Sequence, residues 1–222
     1  MRITELHSGR EFSSLSDALG LCGTPIVSVV GAGGKTTIVK QLAAEFGRAA
    51  ITTTTHMYKE AELAKSAAEV TAADGTVWFG TDEGAKISVS PFIDDVNGIP
   101  LLIEADGSKH MPFKVPAKHE PVIYRRSTAV IGALGLDAVG RTLEEAAFRP
   151  EDAARFLGTD MRHSISCADM AAVIRSKDGL MKDLRGEYYV LLTKADSEQR
   201  MGYALDIARR CKNIRIYAVD LK

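Results

Sequence analysis

The chain has 222 residues, 45% of them hydrophobic and 26% charged, which suits one globular domain with a sizeable core. A formal net charge of -1 argues against a broad polyanion-binding surface, so no nucleic-acid partner is expected. No run reaches the ~18 apolar residues of a membrane span and the first residues lack a signal-peptide apolar core, so a cytoplasmic protein without a membrane partner is expected.

Taken in chain order, the pattern predicts one domain over 1–222 with an N-terminal helical extension at about 1–24, its helix around Glu11 to Leu21. Ile26 to Val30 is a continuous apolar run that suits a buried parallel strand. Ile38, Val39, Leu42, Ala43 and Phe46 share a helical stripe, and Gly47 follows as its stop. Ala49 to Thr54 reads as a strand, about Tyr58 to Ala68 as an alanine-rich helix, and Thr76 to Phe79 as another strand. Ile99 to Ala105 and Ser127 to Ala133 are two further strands, and a mainly helical insertion spans about 143 to 184. Tyr188 to Thr193, Ser197 to Cys211 and Ile214 to Val219 complete the chain as strand, helix and strand. Strands alternating with helices predict an α/β fold with a mostly parallel sheet covered on both faces. Ligands of such sheets bind beyond the strand C-termini.

The first strand runs into Gly31-Ala32-Gly33-Gly34-Lys35-Thr36-Thr37. Glycines let backbone approach phosphates, successive amides form an anion nest, and a helix N-terminus adds its positive end. Lys35 is positioned for β/γ-phosphates and Thr36 for Mg²⁺. The loop is shorter than G-x-x-x-x-G-K-[ST], because Val29 stands where the first glycine belongs. A glycine-rich strand-to-helix turn with an exposed lysine is the bland alternative.

Glu104 and Asp106 end the strand at Leu101 to Ala105 and alternate onto one face, as two carboxylates beside a Mg²⁺-nucleotide should. On this reading Lys35, Glu104 and Asp106 are the catalytic groups, and Thr36 and Asp106 hold the metal. The alternative is an acidic strand end at an Asp-Gly turn. Thr193-Lys194-Ala195-Asp196 matches [NT]-K-x-D, in which a carboxylate accepts from guanine N1–H and N2–H₂ and the lysine stem packs along the base. Equally, Asp196 or Ser197 caps the next helix. The Thr52 to Thr55 hydroxyls with His56 either meet phosphate and Mg²⁺ water or simply favour a strand. The segment 106–121, with three prolines and three lysines, is read as a switch or substrate lid in which Lys109 and Lys114 meet anions or lie solvated. Arg125, Arg126, Arg149 and Arg162 are candidates to complete the site. Cys22, Cys167 and Cys211 lack a C-x-x-C pair and read as reduced thiols, and His56, His110 and His119 lack metal-ligand spacing.

These pieces together resemble the YqeC family of selenium-dependent hydroxylase accessory proteins. The resemblance rests on Val30 to Thr37, on Thr52 to His56, on Glu104-Ala105-Asp106-Gly107 with Lys114, Pro116 and His119-Glu120-Pro121, and on Thr193 to Asp196. It runs from about Leu15 to the C-terminus and implies a role in maturing selenium-containing molybdenum hydroxylases, with such an enzyme or its cofactor as partner. No cysteine motif for selenium is visible.

The residues support a P-loop NTPase of the SIMIBI type, which binds GTP or ATP with Mg²⁺, favours GTP, and hydrolyses it slowly to gate a partner. Asp106-Gly107 does not follow the D-x-x-G switch of Ras-like GTPases. An ATP-dependent small-molecule kinase or ligase is the alternative, and a module that holds nucleotide without turnover is the third reading. The oligomeric state is open, with a homodimer among the allowed assemblies.

Overall fold

In the computed structural model, which describes residues 1–221, a ten-stranded sheet organises the chain. Its central strand is β3 (Ile26–Gly31), counted after two N-terminal strands, β1 (Arg2–Glu5) and β2 (Glu11–Phe12), and the short helix α1 (Leu15–Ala18). The loop at 31–34 leads into α2 (Lys35–Phe46), then β4 (Ala49–Thr53). A small antiparallel sheet follows from β5 (His56–Tyr58), β8 (Thr81–Asp82) and β9 (Lys86–Ser88). Between its strands lie β6 (Leu63–Ala64), α3 (Ala67–Ala72) and β7 (Thr76–Phe79), of which β6 and β7 join the main sheet. The strand bearing the acids is β10 (Leu101–Glu104). After it come β11 (Phe113–Lys114) and β12 (Ala129–Gly135).

The helical insertion contains α4 (Leu143–Ala146), β13 (Ala147–Phe148), α5 (Pro150–Leu157) and α6 (Cys167–Arg175). The chain closes with β14 (Glu187–Thr193), α7 (Glu198–Arg210) and β15 (Arg215–Asp220).

The sheet order is β2-β1-β15-β14-β12-β3-β10-β4-β7-β6, parallel from β15 to β6, with β1 and β2 antiparallel at one edge. Alternation along β3 builds a core on each face. Val27 and Val29 pack with Ile38, Val39 and Leu42 of α2, while Val30 faces the opposite cluster with Met170, Ile174 and Ile207. Register sets the site. Glu104 pairs with Val29 on one side and Thr53 on the other, so the acids of β10 lie beside the loop that leaves β3.

Three local expectations are corrected. Residues 1–24 are not a helical extension: β1 pairs with β15, β2 pairs with β1, and only Leu15–Ala18 is helical. The helix expected from Tyr58 to Ala68 is replaced by β5 and β6, and helix begins only at Ala67, where Ser66 accepts the Glu69 amide. The segment 106–121 is not a solvated lid. Pro112 to Pro116 are buried, and β11 pairs in parallel with β13. Among the described residues no helix is long and apolar enough to cross a membrane, and Cys22, Cys167 and Cys211 are free thiols.

Candidate functional site

The loop is shaped by close packing against β12. A Cβ at Gly31 would lie 2.3 Å from the Ala133 carbonyl oxygen, and one at Gly33 would lie 2.3 Å from the Gly135 nitrogen. Both have left-handed φ, +93° and +80°, so side chains are excluded twice over. The amides of Gly31, Ala32 and Gly33 turn inward to Asp106 Oδ2, the Ala133 carbonyl and the Met111 carbonyl. Donors for an anion therefore begin at Gly34. Ser14, Ser66, Thr142, Ser166 and Ser197 cap five helices, whereas Gly34 gives α2, like Arg149 at α5, no side-chain cap. The first amides of an uncapped helix seek an external acceptor. Gly34 and Thr37 are exposed at this end.

Lys35, Thr36, Glu104 and Asp106 come together here. The buried Lys35 ammonium donates to the Gly31 carbonyl at 2.8 Å and to Ser108 Oγ at 2.9 Å. It lies 3.3 Å from Asp106 Oδ1 and 4.0 Å from Glu104 Oε1. Thr36 donates its hydroxyl to Glu104 Oε2 at 2.8 Å. The two carboxylates thus differ in place. Glu104 stands beside the Thr36 hydroxyl, while Asp106 is fully buried behind it. Burial pushes the Glu104 carboxyl above its ordinary range, against the pull of the Lys35 charge and the Thr36 hydrogen bond. Asp106 Oδ1 finds no hydrogen bond among the described residues, only the ion pair with Lys35.

Asp106 also begins a chain of alternating charges. Its Oδ2 lies 3.0 Å from Lys114 Nζ, which lies 2.9 Å from Glu120 Oε2, which accepts from Arg149 at 2.7 Å. Lys114, expected to be solvated or to meet an anion, is completely buried. Of the four candidate arginines, Arg149 joins this chain; Arg125 pairs with Asp94, and Arg126 donates to the Asp94 carbonyl. Ser108 and the Lys114–Glu120 link are partners the motif reading did not assign. Glu120 was visible only as part of the block that carried the resemblance, and its pairing with Lys114 and Arg149 needed three dimensions.

The second motif meets the loop from the other side. Thr193 donates its hydroxyl to the Gly33 carbonyl oxygen. Thr193 and Lys194 line a recess of about 160 Å³ with Gly33, Gly34 and Thr37. Lys194 has φ +61° and reaches Asp137 at 2.5 Å. Asp196 lines the neighbouring cavity of about 780 Å³ and pairs with Arg200 at 2.6 Å. Ser197, not Asp196, caps α7. The threonine run divides: Thr52 and Thr53 bond the Phe79 and Glu104 carbonyls within the sheet, while Thr54, Thr55 and His56 line a third cavity.

The fold is that of an α/β protein with a large, mostly parallel sheet flanked by helices, consistent with a P-loop NTPase-like fold. The profile of the YqeC protein family matches residues 27–151. The Escherichia coli strain K12 protein described as uncharacterized protein YqeC is 31% identical over 185 residues, covering 72% of this chain and 71% of that protein. The chain belongs to the YqeC family.

Proposed function

We propose that the chain binds a Mg²⁺-nucleoside triphosphate at Gly31 to Thr37, with GTP favoured, as an accessory factor in the maturation of selenium-dependent molybdenum hydroxylases. One observation carries the nucleotide reading. An uncapped helix N-terminus, a buried lysine and a Thr36–Glu104 pair meet at the C-terminal ends of adjacent parallel strands.

The residues fit the ion and the phosphates. Thr36 and Glu104 would hold Mg²⁺, which would neutralise developing charge on the phosphates and orient them. Asp106 is the less suited of the two acids to direct ligation, because Gly31, Lys35 and Lys114 already surround it. Its unbonded Oδ1 suits a metal-bound water once Lys35 turns to the phosphates. Lys35 would leave the Gly31 carbonyl for the β/γ-oxygens, and the amides from Gly34 onward would donate to the same oxygens. The recess at Thr193 and Lys194 supports a base on that side, and Asp196, which lines the neighbouring cavity and pairs with Arg200, would turn from Arg200 to read guanine.

Two measurements test this reading. Calorimetric titration with Mg·GTP and Mg·ATP side by side should show GTP bound more tightly, with Asp196→Asn weakening GTP by at least tenfold and sparing ATP. Preference for ATP moves the reading to the kinase or ligase. For the accessory role, a host with a selenium-dependent molybdenum hydroxylase should lose that activity when this gene is deleted. It should regain activity with the wild-type chain and not with Lys35→Ala. Full activity in the deletion strain removes the role.

A further inference from the structure

The third cavity, of about 470 Å³, opens beside the chain of alternating charges and belongs to neither the phosphate loop nor the recess at Thr193. Thr54 and Thr55 follow the end of β4, Gly107 follows the end of β10, and Phe148 and Arg149 close the opposite wall. It therefore lies at the same sheet edge as the phosphate loop, where parallel sheets place their ligands.

Arg149 and Glu120 are the charged residues of its lining, His56 and His119 add imidazoles, and outside the lining Lys109 stands over the Phe148 ring at 5.9 Å. The same ring carries the Arg149 guanidinium at 4.6 Å. The acid in the lining is Glu120, and it is engaged at its base by Lys114 at 2.9 Å and by Arg149 at 2.7 Å. Glu83 lies 3.4 Å from His56 outside the lining. Burial would raise the Glu120 carboxyl, but the Lys114 hydrogen bond and the charges of Lys114 and Arg149 outweigh it and hold the group below its ordinary range. Glu120 is thus an ionised anchor for Arg149, whose side chain stays one-third exposed towards the cavity. Ser88 and Thr55 add hydroxyls.

The backbone is strained around the same space. Lys109, His110 and Arg149 adopt left-handed φ of +46°, +62° and +57° without being glycine. Such conformations persist only where surrounding contacts impose them, and they gather at ligand sites. Of these, Lys109 and Arg149 lie over the Phe148 ring, whereas His110 stacks on the Tyr58 ring at 5.5 Å.

We infer that this cavity is a second anion site, which takes a small molecule bearing a carboxylate or phosphate group next to the nucleotide end of the sheet. The inference goes beyond the nucleotide reading and stands or falls separately from it. Arg149 is the principal anion contact, with His119 and the Thr55 and Ser88 hydroxyls around it.

The test is a titration of the full chain with inorganic phosphate, and separately with malonate, followed by the histidine ring resonances in NMR. The expected result is saturable shifts of His56 and His119, while His7 and His163 stay still. Arg149→Gln should weaken that response at least tenfold, and His119→Ala, an exposed position, should weaken it without changing the melting temperature. In Lys35→Met the His119 response should persist while nucleotide binding is lost, which separates this site from the phosphate loop. Absence of saturable shifts at His56 and His119, or shifts that Arg149→Gln leaves unchanged in a folded variant, overturns the inference. Loss of the response in Lys35→Met also overturns it, because the anion would then sit on the phosphate loop.

Discussion

Lys114 and Asp106 lie 3.0 Å apart with no exposed surface on either side chain. Asp106 meets the phosphate loop directly, accepting the Gly31 amide at 3.0 Å and pairing through its other oxygen with Lys35 at 3.3 Å. The loop therefore rests on buried charge as well as on apolar packing. Removing one partner of such a pair leaves the other without compensation in a low-dielectric interior.

Lys114→Met should accordingly destabilise the fold by about 3–5 kcal/mol in urea unfolding. The double variant Lys114→Met/Asp106→Asn should recover part of that loss. A single variant with an unchanged midpoint would remove Lys114 from the structural account.

Glu104→Gln should leave nucleotide binding without Mg²⁺ nearly intact and reduce the gain from Mg²⁺ by about tenfold, the loss of one charge-assisted contact. Asp106→Asn should act chiefly on stability, since its carboxylate holds Gly31, Lys35 and Lys114. Titrations with and without Mg²⁺, beside melting curves, check both. A normal Mg²⁺ response in Glu104→Gln would exclude it from the metal site.

Gly33→Ala and Gly47→Ala make a controlled pair. Both glycines have left-handed φ, +80° and +69°, but a Cβ at Gly47 meets nothing within 4 Å. Gly47→Ala should cost about 1 kcal/mol. Gly33→Ala should cost more than about 2 kcal/mol, because it adds collision with the Gly135 backbone. Equal midpoints in thermal unfolding would contradict the close approach of loop and β12.

The parallel strands were legible because Ile26 to Val30, Leu101 to Glu104 and Tyr188 to Thr193 are largely buried on both faces and read as mainly apolar runs. The loop at 31–37 was legible because its residue types are tied to one local geometry. The edges were not. Arg2 to Glu5 has no strong pattern of its own and becomes a strand by pairing with β15, more than two hundred residues away. Tyr58 to Ala68 has helical propensity that pairing with β9 and β7 overrides. The Ser66-x-x-Glu69 spacing did carry the true helix start. The fate of Lys114 was hidden because burial of a lysine depends on carboxylates brought from Asp106 and Glu120 by the fold.

Acid sensitivity should be traceable to Asp169. Burial raises its carboxyl, but hydrogen bonds from Ser166 and His163 outweigh that and hold it below its ordinary value of 3.8. A carboxyl depressed in the folded state stabilises above its unfolded pKa, and that contribution disappears as pH falls through the folded one. Stability should therefore fall below about pH 4, and Asp169→Asn should flatten that part of the profile. Urea midpoints between pH 2 and 6 check this; identical slopes would contradict it.

The central claim is that the loop from Gly31 to Thr37 is a nucleotide site, and calorimetric titration of the wild-type chain and Lys35→Ala with Mg·GTP and Mg·ATP addresses it most directly. The wild type should bind with one site per chain and prefer GTP, and Lys35→Ala should show no measurable heat of binding while remaining folded. Equal affinity in the two proteins, or no binding of either nucleotide to the wild type, would contradict the account.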